Sequence, residues 1–168
     1  MPTIDITRAV AAPLERCFDL ARSIELHTHS TAATGEEAIA GVTQGLIGMG
    51  ESVTWHARHF GIRQTLTSRI TAFDRPHHFR DEQVRGAFAG FTHDHFFTPD
   101  GRGGTLMRDV FAFRAPLGVL GRLAEALVLT RYMRRLLETR AEIVAAAAEG
   151  EGWRRYLDAA GNAVRATS

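Results

Sequence analysis

The chain reads as an α+β fold: a curved antiparallel sheet of about seven strands, with two short helices and one long C-terminal helix enclosing a cavity. Three observations predict it. Residues 36–115 carry a period-two hydrophobic pattern punctuated by Gly and Pro. One alternating segment and two short helical patterns precede that stretch. After Pro116 the period changes to about 3.6 and holds to the EGEGW segment at 149–153. An open antiparallel sheet needs its apolar face covered, and one helix across a strongly curved sheet covers it only in part, so space remains between them.

The elements follow in order. TIDITRAV (3–10) alternates and is a strand. Pro13 opens PLERCFDLARSIE, whose Leu14, Cys17, Phe18 and Ala21 form one apolar stripe of a helix. A second short helix covers Ile24–His29, and THSTAATG (28–35) reads as a loop. EEAIAGV is a short strand, and GLIGMGE, with three glycines, is a turn or bulge. ESVTWHARHF places Val53, Trp55, Ala57 and His59 on one face. IRQTLTSRITAF, FRDEQVRG, FAGFTHDHFF and TLMRDVFAFR are the remaining strands, broken at Gly61, Pro76 and the DGRGG turn. In FRDEQVRG the inward face is ambiguous: Phe79 points to the odd positions and Val84 to the even ones, which a bulge would reconcile.

Beyond Pro116, Leu117, Leu120, Leu123, Ala124, Leu127 and Val128 share a face, and the stripe then moves to Tyr132, Leu136, Ile143 and Ala147. A bend or break near Thr130 accounts for that drift. About 32 residues of helix would span ~48 Å, enough to cross a sheet. Gly118 and Gly121 lie on one side of the helix start, where small residues permit close approach or loosen the helix entry.

Composition narrows the function classes. The chain has 168 residues, 45% of them apolar and 23% charged, as in an ordinary globular domain. No run approaches the ~20 apolar residues of a membrane span. The N-terminus is not signal-like, and one cysteine, Cys17, gives no disulfide framework, so a cytoplasmic location is expected. All 20 basic residues are arginines, against 19 acids, for a net charge of +1. They form no basic stripe, which argues against nucleic acid as a partner. The sequence assigns no oligomeric state.

Two adjacent strands carry the candidate chemistry. Phe91, His93, His95 and Phe97 share one face, and Met107, Asp109, Phe111 and Phe113 share another. Hairpin geometry around DGRGG brings Asp109 near His93 or His95, depending on register. A buried carboxylate needs a partner. Such a pair either satisfies itself, orients a ligand, or sets up a general base. His59, beside Trp55 and Ala57, can join the two imidazoles, and three would suffice for zinc. No third ligand is fixed by spacing, so neither a metal nor another cofactor is assigned. His27-x-His29 lies on a helix, where the two side chains diverge by ~160°. That spacing disfavours shared ligation and leaves a place near a pocket mouth. Glu36 and Glu37 read as a solvated strand edge, and His77 and His78 as exposed turn residues.

The order of elements resembles the START-like superfamily (SRPBCC, polyketide cyclase-like) with its helix-grip fold. The resemblance covers roughly residues 3–148. It rests on VAAPLERCFDLA, GESVTWHARHFG, ITAFDRPHHFRDEQVRGAF, FTHDHFF, GGTLMRDVFAFRAPLG and the terminal helix. It looks most like the small stand-alone bacterial members of cyclase/dehydrase type. The resemblance implies a START-like domain over 1–150, a C-terminal tail over 151–168, and a deep apolar pocket between long helix and sheet. Members bind lipids, sterols, polyketides, quinones or hormones, and some are aromatase/cyclases. On that basis a hydrophobic small-molecule ligand is expected against Trp55, His59, Phe91, His93, His95, Asp109 and Phe111. Two alternatives stand beside it: a cyclase or dehydratase using His93 or His95 with Asp109 as acid/base, and a regulatory protein-interaction module using the 131–140 region and the tail.

Overall fold

A computed structural model describes residues 1–114 and 128–158. Seven strands form one antiparallel sheet in the order β1-β7-β6-β5-β4-β3-β2. β1 is Thr3–Val10, β2 Glu37–Gly41, β3 Ser52–His59, β4 Ile62–Asp74, β5 His78–Arg85, β6 Gly90–Pro99 and β7 Thr105–Arg114. Helices α1 (Leu14–Ala21) and α2 (Ile24–Ser30) carry the chain from one sheet edge to the other, and α3 (Thr130–Glu149) returns across the inner face. This is the helix-grip arrangement. Leu129 has right-handed helical dihedrals, so the helix does not begin with a cap at Thr130. The 116–127 part of the predicted helix, with Pro116, Gly118 and Gly121, lies outside the described residues.

Local chemistry explains the short helices. Pro13, at φ −59° and ψ 147°, stands just before α1 and supplies no donor that would need a partner. Ser23 caps α2 by accepting from the Leu26 N–H at 3.3 Å. The Ala21 carbonyl, one of the unpaired carbonyls that end α1, accepts from Arg140 Nη2 at 2.6 Å. That bond ties α3 to the end of α1. Arg16 Nη1 repeats the tie at the far end by donating to Ala148 O at 2.9 Å.

The core is divided. Its larger part lies under α1 and α2, where the Phe18 ring meets Phe73, Phe79 and Phe97 edge-on. The smaller part gathers Ile4, Phe91, Phe111, Phe113 and Leu137. On α3 the buried face is Leu137, Arg140, Ala141, Val144, Ala145 and Ala148. The stripe expected from sequence (Tyr132, Leu136, Ile143, Ala147) is only half-buried. It sits beside the true core face, because the alanine-rich sequence supports two overlapping apolar stripes and the curved sheet selects one. Arg140 points inward, whereas Arg131, Arg134 and Arg135 are exposed. After α3, residues 153–158 form a further helical turn, which buries Tyr156 in the larger core.

The ambiguity in β5 is resolved by a bulge. Thr67 pairs with Arg85 and Ser68 with Gln83, which leaves Val84 as the extra residue. Val84 is exposed, while Phe79 is buried and Asp81 turns toward the inner face. Gly86, at φ 153°, then turns the chain over Leu66, where a Cβ would lie 2.5 Å from the Leu66 Cδ1. That close approach brings Ala87 and Phe88 over the inner face.

Candidate functional site

Between α3, α2 and the concave face lies a cavity of about 340 Å³. Its walls are mainly apolar: Trp55, Ala57, Leu66, Phe91, Phe111 and Met133 represent the strands and the helix. Two polar groups interrupt that surface, one on the central strands and one near α2.

The central group is built by register. β6 places His93 opposite Asp81 on β5 and opposite Phe111 on β7. It places His95 opposite Phe79 on one side and Asp109 on the other. His93 and His95 point the same way because strand side chains alternate, and their ring centroids are 3.8 Å apart. His95 Nδ1 lies 2.6 Å from Asp109 Oδ1, and its Nε2 lies 3.1 Å from Asp81 Oδ1. His93 addresses the same two carboxylates the other way round, with Nδ1 3.7 Å from Asp81 and Nε2 3.3 Å from Asp109. Neither His93 contact is a hydrogen bond, and its buried Nε2 has no hydrogen-bond partner among the described residues. Arg140 Nη1 stands 3.8 Å from Asp109 Oδ1.

Electrostatics separates the two histidines. Burial pushes His95 down, but Asp109 and Asp81 outweigh it and raise its pKa. Burial also pushes His93 down, the charge of His95 adds to that, and the carboxylates do not compensate, so its pKa is lowered. Burial opposes ionisation of Asp109, yet the two imidazoles hold it well below the ordinary carboxylate range. Asp81 is lowered for the same reason. The favoured state therefore has a cationic His95 between two carboxylates and a neutral His93 facing the cavity.

The second group lies toward α2. His27 stacks on Trp55 with centroids 4.3 Å apart, and its Nε2 is 3.4 Å from Glu36 Oε1. His59 Nδ1 is 2.8 Å from the Tyr132 hydroxyl. The Phe60 ring, held at φ 51° in the β3–β4 turn, packs on Tyr132 at 4.6 Å.

Several sequence expectations are placed differently. Trp55, His59, Phe91, His93, His95 and Phe111 all line the cavity. Asp109 does not: it stands behind the two imidazoles and faces a minor void beside Ala141. His59 is engaged by Tyr132 rather than by His93 and His95, so the three-imidazole grouping does not form. Glu36 is no solvated edge, since its side chain is only 12% exposed and faces His27. His78 is half-buried, 2.7 Å from Asp94 on the outer face, while His77 is exposed as expected. Sequence reading left Asp81 open between the two faces of β5, put Tyr132 on the apolar stripe of the late helix without assigning it to the cavity, and missed Arg140. Val84, apolar but exposed, obscured the first, and the choice between two helical stripes hid Arg140.

Comparison with known proteins agrees with this architecture. Residues 1–149 match the family model described as polyketide cyclase / dehydrase and lipid transport. No curated protein sequence matches the chain. Among solved structures, TTHA0849 from Thermus thermophilus is 22% identical with a TM-score of 0.68, the match covering 88% of this chain and 99% of that one. A START superfamily protein from Mycobacterium smegmatis is 14% identical, with a TM-score of 0.65 over 88% and 97% of the two chains. Ginseng major latex-like protein 151 from Panax ginseng, also 14% identical, gives a TM-score of 0.64 over 89% and 98%. At these identities the likeness is one of fold.

Proposed function

The chain belongs to the polyketide cyclase/dehydrase and lipid transport family of the START-like superfamily, and on that premise we propose that it binds a hydrophobic small molecule in the cavity beneath α3. One observation carries the reading. The cavity, at about 340 Å³, has mainly apolar walls interrupted by two polar groups, one of them concentrated on the central strands. Specific small-molecule pockets of roughly 300–1,000 Å³ share that design, with apolar walls for affinity and a few polar groups for orientation. Trp55, Phe91 and Phe111 supply flat surface for a ring or an acyl chain. His93, with a ring nitrogen to spare, is placed to orient a carbonyl or hydroxyl end of the ligand. The single buried cysteine, Cys17, fits a cytoplasmic setting.

The test is titration with a fluorescent fatty acid, together with native mass spectrometry of the purified protein. Saturable one-to-one binding is expected. Ala57→Phe, which fills the cavity from β3, should weaken it at least about tenfold, consistent with the ~1–3 kcal/mol that one misfitted group costs in an apolar pocket. Absence of binding by wild type to both fatty-acid and polycyclic aromatic probes would sink the reading.

His93 favours a second reading, proton transfer to or from a bound polyketide-like chain. It lines the cavity and is held neutral, as a general base must be. Incubation with a poly-β-ketothioester mimic should then give a cyclised product lighter by one water, absent with His93→Gln. Unchanged substrate with wild type would rule it out.

A further inference from the structure

We propose that Asp81, His93 and His95 form a binding site for one divalent transition-metal ion, zinc being the best match, with an open coordination position toward the cavity. The three residues offer one carboxylate oxygen and two imidazole nitrogens, all lying within 4.8 Å of one another. Asp81 Oδ1 is 3.1 Å from His95 Nε2 and 3.7 Å from His93 Nδ1. Tetrahedral zinc ligands at ~2.0–2.1 Å stand about 3.3 Å from one another, so small side-chain adjustments close the shell. Two histidines and one carboxylate make a three-ligand set that leaves the fourth position free.

Three further features of the site agree with this. Asp109 Oδ1 meets His95 Nδ1 at 2.6 Å. A histidine ligand usually gives its other ring N–H to such a carboxylate, which fixes the tautomer and bares Nε2 for the metal. With that tautomer, the bare His95 Nε2 and Asp81 Oδ1 point lone pairs at each other over 3.1 Å, an arrangement that requires a proton or a cation to bind them together. Charge agrees as well. With both imidazoles neutral, two carboxylates and the Arg140 guanidinium leave the group with one net negative charge, and Arg140 Nη2 is already engaged by Ala21 O at 2.6 Å. All three donor residues line the cavity wall, so the open position would face whatever occupies the cavity. The strand pair alone carries no such site: the third ligand arrives from β5, where Asp81 pairs directly with His93.

The experiment uses the full chain dialysed against chelator and then titrated with the metal alone. Zinc calorimetry should show one saturable site and release of a proton from His95, seen as a dependence of the heat on buffer ionisation enthalpy. Cobalt(II) should show visible d–d absorption of a four- or five-coordinate site, and magnesium should not compete. Asp81→Asn and His93→Gln should abolish the cobalt spectrum. Asp109→Asn should leave it but weaken zinc binding roughly 10–100-fold, the usual effect of losing a carboxylate behind a ligand. Circular dichroism confirms that each variant is folded, and a zinc-induced rise in melting temperature of wild type gives a readout independent of the variants. No saturable zinc binding by wild type, or binding unchanged in both Asp81→Asn and His93→Gln, overturns the proposal. The latter result would assign the metal to exposed histidines such as His77.

Discussion

His93 and His95 stand two apart on a strand, and His27 and His29 stand two apart on a helix; the same spacing gives opposite outcomes. On β6 the rings lie side by side at 3.8 Å and share both Asp81 and Asp109. On α2 they part company. His27 turns into the cavity to stack on Trp55 and meet Glu36, while His29 turns to the C-terminal turn, where its Nδ1 is 2.8 Å from the Tyr156 hydroxyl. Backbone period alone makes this difference. A strand concentrates like groups and creates a strongly coupled, buried site. A helix distributes them to two neighbours, each contact local and replaceable.

The largest expected break in that comparison is Asp109→Ala. It leaves a buried imidazolium with one carboxylate fewer, and losing one partner of a buried pair costs about 3–5 kcal/mol. Urea unfolding monitored by circular dichroism should show that loss, and a cost below about 1 kcal/mol would mean that the cluster is solvated rather than buried.

A middle-sized effect is the splitting of the strand pair by pH in metal-free protein. His95 has a raised pKa, so its contribution to stability is complete below the ordinary imidazole value of about 6.5 and is lost as pH rises through the raised one. His93 has a lowered pKa, so stability falls as pH drops below about 6.5, where the unfolded chain takes up a proton that the buried ring declines. Imidazole carbon–proton NMR should therefore show two titration steps for the pair, one on each side of the ordinary value. A single step at the ordinary value would contradict the shared-carboxylate arrangement.

The smallest effect belongs to the helical pair. Tyr156→Phe removes only the hydroxyl facing His29 and should cost about 1 kcal/mol, with fatty-acid binding unchanged. A loss of binding in that variant would show that the helical pair is coupled to the cavity after all.

Much of this contrast was already written in the sequence. Alternation placed Phe91, His93, His95 and Phe97 on one face and Met107, Asp109, Phe111 and Phe113 on another, and all eight are buried. Seven strands, two early helices and the late helix follow from periodicity and from Gly and Pro punctuation. Asp81 was not legible in the same way, because buried Phe79 and exposed but apolar Val84 point to opposite faces of β5. The α3 face was only partly assigned: Tyr132 and Leu136 do line the cavity, but the fully buried residues lie on the neighbouring stripe. Glu36 looked like an edge residue because nothing local reveals that His27 will lie over it.

Sequence by itself determined the elements and their order, the inward pair on β6 and the separation of the helical pair, since each depends on backbone periodicity within one element. Only the tertiary structure decided which carboxylates meet those imidazoles, that Asp109 stands behind them while Asp81 and Arg140 face the cavity, and that Tyr132 takes His59. Those relations depend on register between strands and on the rotation of α3, which side chains distant in the chain settle together by packing.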